Sequence, residues 1–286
     1  MACAEEDAAR LLGWFTDLDR VVVAFSGGVD SAVVLAAALR ALGPGRVEAA
    51  TAVSASLAMS ERHAAARLAA RLGVAHRWVP TDELAVPAYR ANGRDRCFHC
   101  KATLLDALSA TPAVTGAAAI CTGTNADDVR DPFRPGIAAA AQRGARTPLA
   151  DLGLTKDRVR ALARRWDLPV ADKPATPCLA SRIAYGTEVT EPLLRSVERA
   201  ETAVRRLLLL RGRAPRQLRV RVLADRVRVE VEATDLPRLT DSPERLLRLL
   251  RRCGVDRHDV DLAQFRSGGL NLLSPTVAGQ LPASRA

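Results

Sequence analysis

One stretch near the start of the chain, Val21-Val22-Val23-Ala24-Phe25-Ser26-Gly27-Gly28-Val29-Asp30-Ser31, constrains the fold more than any other. Its opening run is apolar and rich in branched side chains, the composition of a buried strand. Ser26-Gly27-Gly28 stops that run, and a helical pattern follows from about Ser31 to Leu42. A strand that turns through glycines straight into a helix leaves backbone N–H groups unpaired at the positive end of the helix dipole. Such a turn is an anion site suited to phosphate. Gly27 and Gly28 let the backbone approach an oxyanion without a Cβ in the way. Ser26 and Ser31 offer hydroxyls to phosphate oxygens, and Asp30 offers a carboxylate to a magnesium ion.

The first half of the chain keeps this rhythm. Val47–Val53 reads as a buried strand, Ser60–Leu72 as an amphipathic helix closed by Gly73, and His76–Val79 as a short strand. Ala102–Leu108 reads as helix and Ala117–Thr122 as another apolar strand. Alternating strands and helices predict an α/β fold with a doubly wound parallel sheet, whose ligands bind beyond the carboxyl ends of the strands. The glycine turn lies at such an end, and so does Gly123-Thr124-Asn125-Ala126-Asp127-Asp128. Asp127 and Asp128 are candidates for a second magnesium carboxylate or simply a solvated turn.

The composition shifts near residue 171, so domains of 1–170 and 171–286 are expected, the second a smaller α+β unit. Ala171–Gly186 is rich in proline and small residues and reads as a structured loop. A long helix is expected over Glu191–Leu210, a β-hairpin from Gln217–Leu223 and Arg226–Glu232 around Ala224-Asp225, and a helix starting at Ser242-Pro243-Glu244. Arg219 and Arg221 share one face of that hairpin, where they either grip a phosphate or line a solvated edge. Glu201 and Glu230 read as ordinary surface carboxylates. Asp261–Gly269 offers Arg266 and two glycines as a further phosphate contact.

The formal charge is +10, nearly all of the positive charge is arginine, and lysine occurs only at Lys101, Lys156 and Lys173. RNA binding, a phosphate-rich small substrate and coding bias all accommodate this surplus. No basic stripe interleaved with aromatics supports single-strand binding, and nucleic acid is not expected as a partner. No apolar run is long enough to cross a membrane, and the acidic first segment lacks a basic n-region, so a cytoplasmic location is expected.

Six cysteines in such a setting are not read as disulfides. Cys121 sits in an apolar run and reads as a core thiol. Cys97 and Cys100 form a C-x-x-C, a spacing shared by redox pairs, zinc knuckles and iron–sulfur ligands. Cys178 adds a third thiol, and no fourth follows at suitable spacing. Three thiolates suit a four-iron four-sulfur cluster with one iron left open. Cys178 lies in Thr176-Pro177-Cys178-Leu179-Ala180-Ser181-Arg182, where Arg182 would favour thiolate and make a competent nucleophile.

The Ser26–Ser31 hexapeptide resembles the pyrophosphate loop of the PP-loop ATP pyrophosphatases, which cleave ATP between the α and β phosphates. Together with GTNADD and the following FRPG, KPATPCLASRIAYG, the RVRV hairpin and DLAQFRSGGLN, it makes residues 10 to 272 resemble the LarE family of ATP-dependent sulfur transferases. The resemblance implies ATP and Mg2+ at Ala24, Ser26, Gly27, Gly28, Asp30, Ser31, Gly123, Asp127 and Asp128. It implies a small nucleotide substrate, pyridinium-3,5-biscarboxylic acid mononucleotide, whose acyl-adenylate receives sulfur for nickel-pincer nucleotide synthesis. Cys178 matches the reactive cysteine. Ser181, Arg182, Arg219, Arg221 and Arg266 match positions around substrate and phosphate, and Glu201 and Glu230 match acidic positions of the sulfur-transfer region. One form of the family sacrifices the sulfur of its single cysteine; the other holds a four-iron four-sulfur cluster on three cysteines. Cys97, Cys100 and Cys178 place this chain with the cluster form. The resemblance also implies a homo-oligomer, with hexamers known. The rival readings are a PP-loop tRNA thiolase and an amidotransferase-type synthetase.

Overall fold

The computed structural model describes residues 2–115, 118–131, 134–240 and 243–266. The strands β1 (Val21–Ala24), β2 (Val47–Val53), β3 (Ala75–Pro80) and β4 (Ala119–Cys121) form one parallel sheet in the order β3-β2-β1-β4. Alternation along β1 supplies both faces. Val21, Val23 and Phe25 join a core with helices α1 (Ala2–Phe15), α2 (Val29–Leu42) and α6 (Lys156–Arg165), through residues such as Leu11, Phe15, Val33 and Leu162. Val22 and Ala24 join a second core with Leu105 and Leu108 of α4 (Arg96–Ser109) and Ala140 of α5 (Pro135–Gln142). All of β1 is buried, and each valine contributes roughly 1.5–3 kcal/mol to the core it enters. A further helix, α3 (Met59–Leu72), ends as expected at Gly73, whose left-handed φ of +66° lets its N–H reach the carbonyls of Ala69 and Ala70.

Two helix starts differ from expectation. α2 begins at Val29, directly after Gly28, so Asp30 and Ser31 lie in its first turn. α4 begins at Arg96, so Cys97 and Cys100 sit on its first turn and not in a preceding loop. Polar and cysteine residues hid that turn from a pattern that depends on apolar spacing.

The chain divides into two compact units, one of Met1–Ala180 with Glu188–Arg195, the other of Ser181–Thr187 with Ser196–Ala286. The first therefore carries the glycine turn and all three cysteines of interest. In the second, the long helix α7 (Glu191–Leu210) contributes Val197, Ala200, Val204 and Leu208, fully buried at helical spacing. The expected hairpin forms from β5 (Leu218–Val222) and β6 (Arg226–Val231). A third strand, β7 (Asp259–Gln264), was not anticipated. It runs parallel to β6 after α8 (Pro243–Arg252) has crossed between them. Its pairing is non-local, and acidic residues interrupt its apolar alternation. Asp261 is paired with Arg228 across the ladder at 2.7 Å. Pro243 opens α8 as expected, while Ser242 lies outside the described residues. Among the described residues no helix is long and apolar enough to cross a membrane.

Candidate active site

The glycine turn is closed by its own serines. Ser31 Oγ donates to the Gly28 carbonyl at 3.2 Å and accepts from the Ser26 N–H at 3.3 Å, while the two hydroxyls lie 3.2 Å apart. Gly27 has φ +69°, and a Cβ there would meet the Ala65 backbone of α3 at 3.1 Å. Gly123 is stricter. A Cβ at that position would lie 2.6 Å from the Ser31 nitrogen and 2.9 Å from the Asp30 carbonyl carbon, both backbone atoms. The chain leaving β4 thus crosses directly over the N-terminus of α2, and only glycine permits it. Behind the turn, Thr51 Oγ donates to the Phe25 carbonyl at 2.6 Å and lies 2.8 Å from His76 Nε2. With its proton spent on Phe25, Thr51 accepts from Nε2–H, which fixes the His76 tautomer; burial lowers the His76 pKa and keeps the ring neutral.

Asp30 faces outward from this turn. Asn125 Nδ2 donates to its Oδ1 at 3.1 Å, and the Lys156 ammonium sits on its other oxygen. The Asp30 carboxylate thus already carries a cation. Asn125 itself caps the single turn Ala126–Arg130 through the backbone N–H groups of Asp127 and Asp128, both at 3.0 Å. Asp127 accepts the Lys156 N–H at 2.7 Å, and Asp128 pairs with Arg134 at 2.8 Å. Both acids therefore spend oxygens on shaping the turn. Lys173 completes the surround, donating to the Gly27 carbonyl at 3.2 Å and to Glu61 at 2.6 Å. Two of the chain's three lysines thus converge on one loop, although sequence reasoning had assigned them nothing. The available signal was their rarity in an arginine-rich chain.

The three thiols gather in the same unit. Burial raises the Cys100 pKa well above the usual thiol range, and the charges of Cys178, Glu83 and Cys97 raise it further. Cys100 thus feels the charges of both Cys97 and Cys178. Tyr89, fully buried, feels Cys178 and Cys100 as well, and burial is the larger reason that its pKa is raised. Lys101, its pKa lowered by burial, is coupled to Cys100, Cys97 and Asp128, which brings α4 alongside the turn after β4. The donor chemistry suits a soft, thiolate-bound group. Among the described residues, however, no three or more His, Cys, Asp or Glu side chains form a closed metal site. Cys121, by contrast, is the expected core thiol: it is fully buried and its pKa is pushed up to about 12.

The second unit holds a separate charged cluster. Arg182, 2 % exposed, donates to both carboxylate oxygens of Glu201, at 2.9 and 3.3 Å, and to Ser181 Oγ at 3.0 Å. Arg221 donates to Glu230 at 2.7 Å and to the Ser181 carbonyl at 3.1 Å. Arg219 lies with its guanidinium 5.3 Å from the centre of the Phe265 ring, and burial beside Arg182 and Arg221 brings its pKa down to about 10. These arginines do not line a solvated edge, and Glu230 is not a surface carboxylate: Arg219 and Arg221 are 6 % exposed and Glu230 4 %. Glu201 is also largely covered, its side chain 14 % exposed. Alternating charges on a strand look solvated in sequence, and only burial on both faces reveals otherwise. Glu230 Oε2 is buried without a hydrogen-bond partner among the described residues. Arg266 is exposed, and Ser267–Leu270 of its motif lie outside the described residues. The cluster is a buried set of three guanidiniums, two of which are paired with carboxylates.

The chain is similar to known proteins over most of its length. The asparagine synthase family profile matches residues 17–92, which carry β1 to β3 and the glycine turn. An uncharacterized protein of Synechocystis is 40 % identical over 269 residues, covering 93 % of this chain and 97 % of that protein. The pyridinium-3,5-bisthiocarboxylic acid mononucleotide synthase of Lactiplantibacillus plantarum is 33 % identical over 271 residues, covering 95 % of this chain and 96 % of its own.

Proposed function

Since the chain belongs to the LarE family of ATP-dependent sulfur transferases, we propose that it converts the carboxylates of pyridinium-3,5-biscarboxylic acid mononucleotide to thiocarboxylates. The N–H groups of the Ser26–Ser31 turn hold the ATP phosphates, and the Asp30 carboxylate holds Mg2+ once Lys156 has moved from it to phosphate. A substrate carboxylate oxygen attacks the α-phosphorus, the bond to the β-phosphate oxygen breaks, and pyrophosphate leaves. Sulfur then attacks the acyl carbon and AMP departs with the former carboxylate oxygen. In the second unit Arg182, Arg219 and Arg221 take the substrate phosphate, held in place by Glu201 and Glu230.

Cys97, Cys100 and Cys178 would hold a four-iron four-sulfur cluster, which when bound supplies a replaceable sulfide. Cys178 is then a ligand and not a consumed reagent. What supports this reading is the charge coupling of Cys100 to Cys97 and Cys178 in the unit that carries the ATP turn. Anaerobic purification with iron and sulfide analysis tests it. About four irons per chain, lost in Cys97→Ala, is the expected result. Iron-free protein after anaerobic reconstitution, with Cys178 reduced in mass by one hydrogen sulfide after reaction, would replace it with the sacrificial route.

A further inference from the structure

Two hydrogen-bonded clamps run from the segment just before the C-x-x-C to the loop that carries Cys178. Arg96, 4 % exposed, donates from Nη1 to the side-chain oxygen of Asn92 and, at 2.9 Å, to the carbonyl of Ala180. Asn92 is fully buried at φ +56°, a left-handed conformation that asparagine tolerates better than most residues. Tyr89 places its hydroxyl 2.5 Å from Ser56 Oγ, and the Ser56 carbonyl accepts the Leu179 N–H at 2.9 Å. Leu179 and Ala180, the two residues after Cys178, are therefore both fixed through their backbones. Apolar packing alone would hold this loop near α4 without setting its register. A buried guanidinium is costly unless its donors are paired, and Asn92 and the Ala180 carbonyl pair this one.

We infer that Arg96 with Asn92, and Tyr89 with Ser56, are positioning residues that hold the Cys178 sulfur in register with Cys97 and Cys100 before any sulfur-carrying group is bound. The inference rests on the reading of these thiols as one site. The clamps act on the chain around Cys178 and not on the sulfur. Their effect therefore exists in the metal-free protein and is measurable there.

The test is limited oxidation of the full-length, iron-free protein with diamide, followed by mass-spectrometric mapping of disulfides. Cys97–Cys100 pairing is local to one helical turn and serves as the internal reference. In the unaltered protein, disulfides from Cys178 to Cys97 or Cys100 are expected beside the reference pair. Arg96→Met should lower the ratio of Cys178-linked to reference disulfide on the order of tenfold, and Tyr89→Phe roughly threefold. Arg96→Lys, which keeps a donor, should recover part of the ratio, a rescue that a general packing role would not give. Should Arg96→Met not fold, Tyr89→Phe carries the test. An unchanged ratio in folded Arg96→Met or, where that variant does not fold, in folded Tyr89→Phe overturns the positioning role. A complete lack of Cys178-linked disulfide in the unaltered protein overturns the single-site reading instead.

Discussion

On the proposed function, the two units handle anions by opposite means. In the first, the Ser26–Ser31 turn presents backbone N–H groups at a helix end, and its requirements are steric: glycine at 27, glycine again where residue 123 crosses α2. In the second, the charge sits on three buried guanidiniums, and Glu201 and Glu230 offset two of them. A backbone site brings partial charges that are already part of the fold, so it adds little desolvation cost. A guanidinium cluster must desolvate whole charges, and it stays folded only while its carboxylates are matched. The first should lose function readily with little loss of stability; the second should lose both together.

Arg221→Met should give the largest change, about 3–5 kcal/mol of destabilisation in urea unfolding, because it leaves the Glu230 carboxylate buried and unpaired. Adding Glu230→Gln should restore much of that loss, since a neutral pair avoids the buried charge. No recovery in the double variant would break the contrast drawn above. Gly123→Ala comes next. Its methyl would press on the backbone of Asp30 and Ser31, costing about 1–3 kcal/mol and abolishing ATP binding by calorimetry.

Asp30→Asn should cost under about 1 kcal/mol, since the carboxylate is partly exposed, yet pyrophosphate release should fall at least about tenfold as magnesium is lost. Equal pyrophosphate release would remove Asp30 from the metal site. The smallest effect is reserved for the Arg143–Asp106 pair on the surface, whose hydrogen bond lowers the Asp106 pKa. Its stability is fully present above the unfolded aspartate pKa and is lost as pH falls through the depressed folded value. Asp106→Asn should therefore alter stability near neutral pH by less than about 1 kcal/mol, with the difference vanishing in acid.

The same contrast explains what could be read in advance. The parallel sheet and the glycine turn were legible because glycine and apolar periodicity are local signals, whereas Gly123 was legible only as the end of a strand and not as a crossing over α2. The hairpin was legible too, from its alternation around Ala224-Asp225. What sets Arg219, Arg221 and Glu230 apart is burial, which depends on β7 and on the segment around Ile183, remote in sequence. Asn92, Tyr89 and Arg96 drew no reading from the sequence. Their partners, Ser56 and Ala180, lie far away along the chain, and no spacing rule connects them. Lys156 and Lys173 stood out only against the arginine background.

The most direct test of sulfur transfer is to incubate the anaerobically prepared protein with ATP, Mg2+ and pyridinium-3,5-biscarboxylic acid mononucleotide, following pyrophosphate and the mass of the mononucleotide together. Pyrophosphate released only when the mononucleotide is present, with product heavier by the replacement of oxygen with sulfur, is the result expected. Pyrophosphate release that ignores the mononucleotide, leaving its mass unchanged, would contradict it.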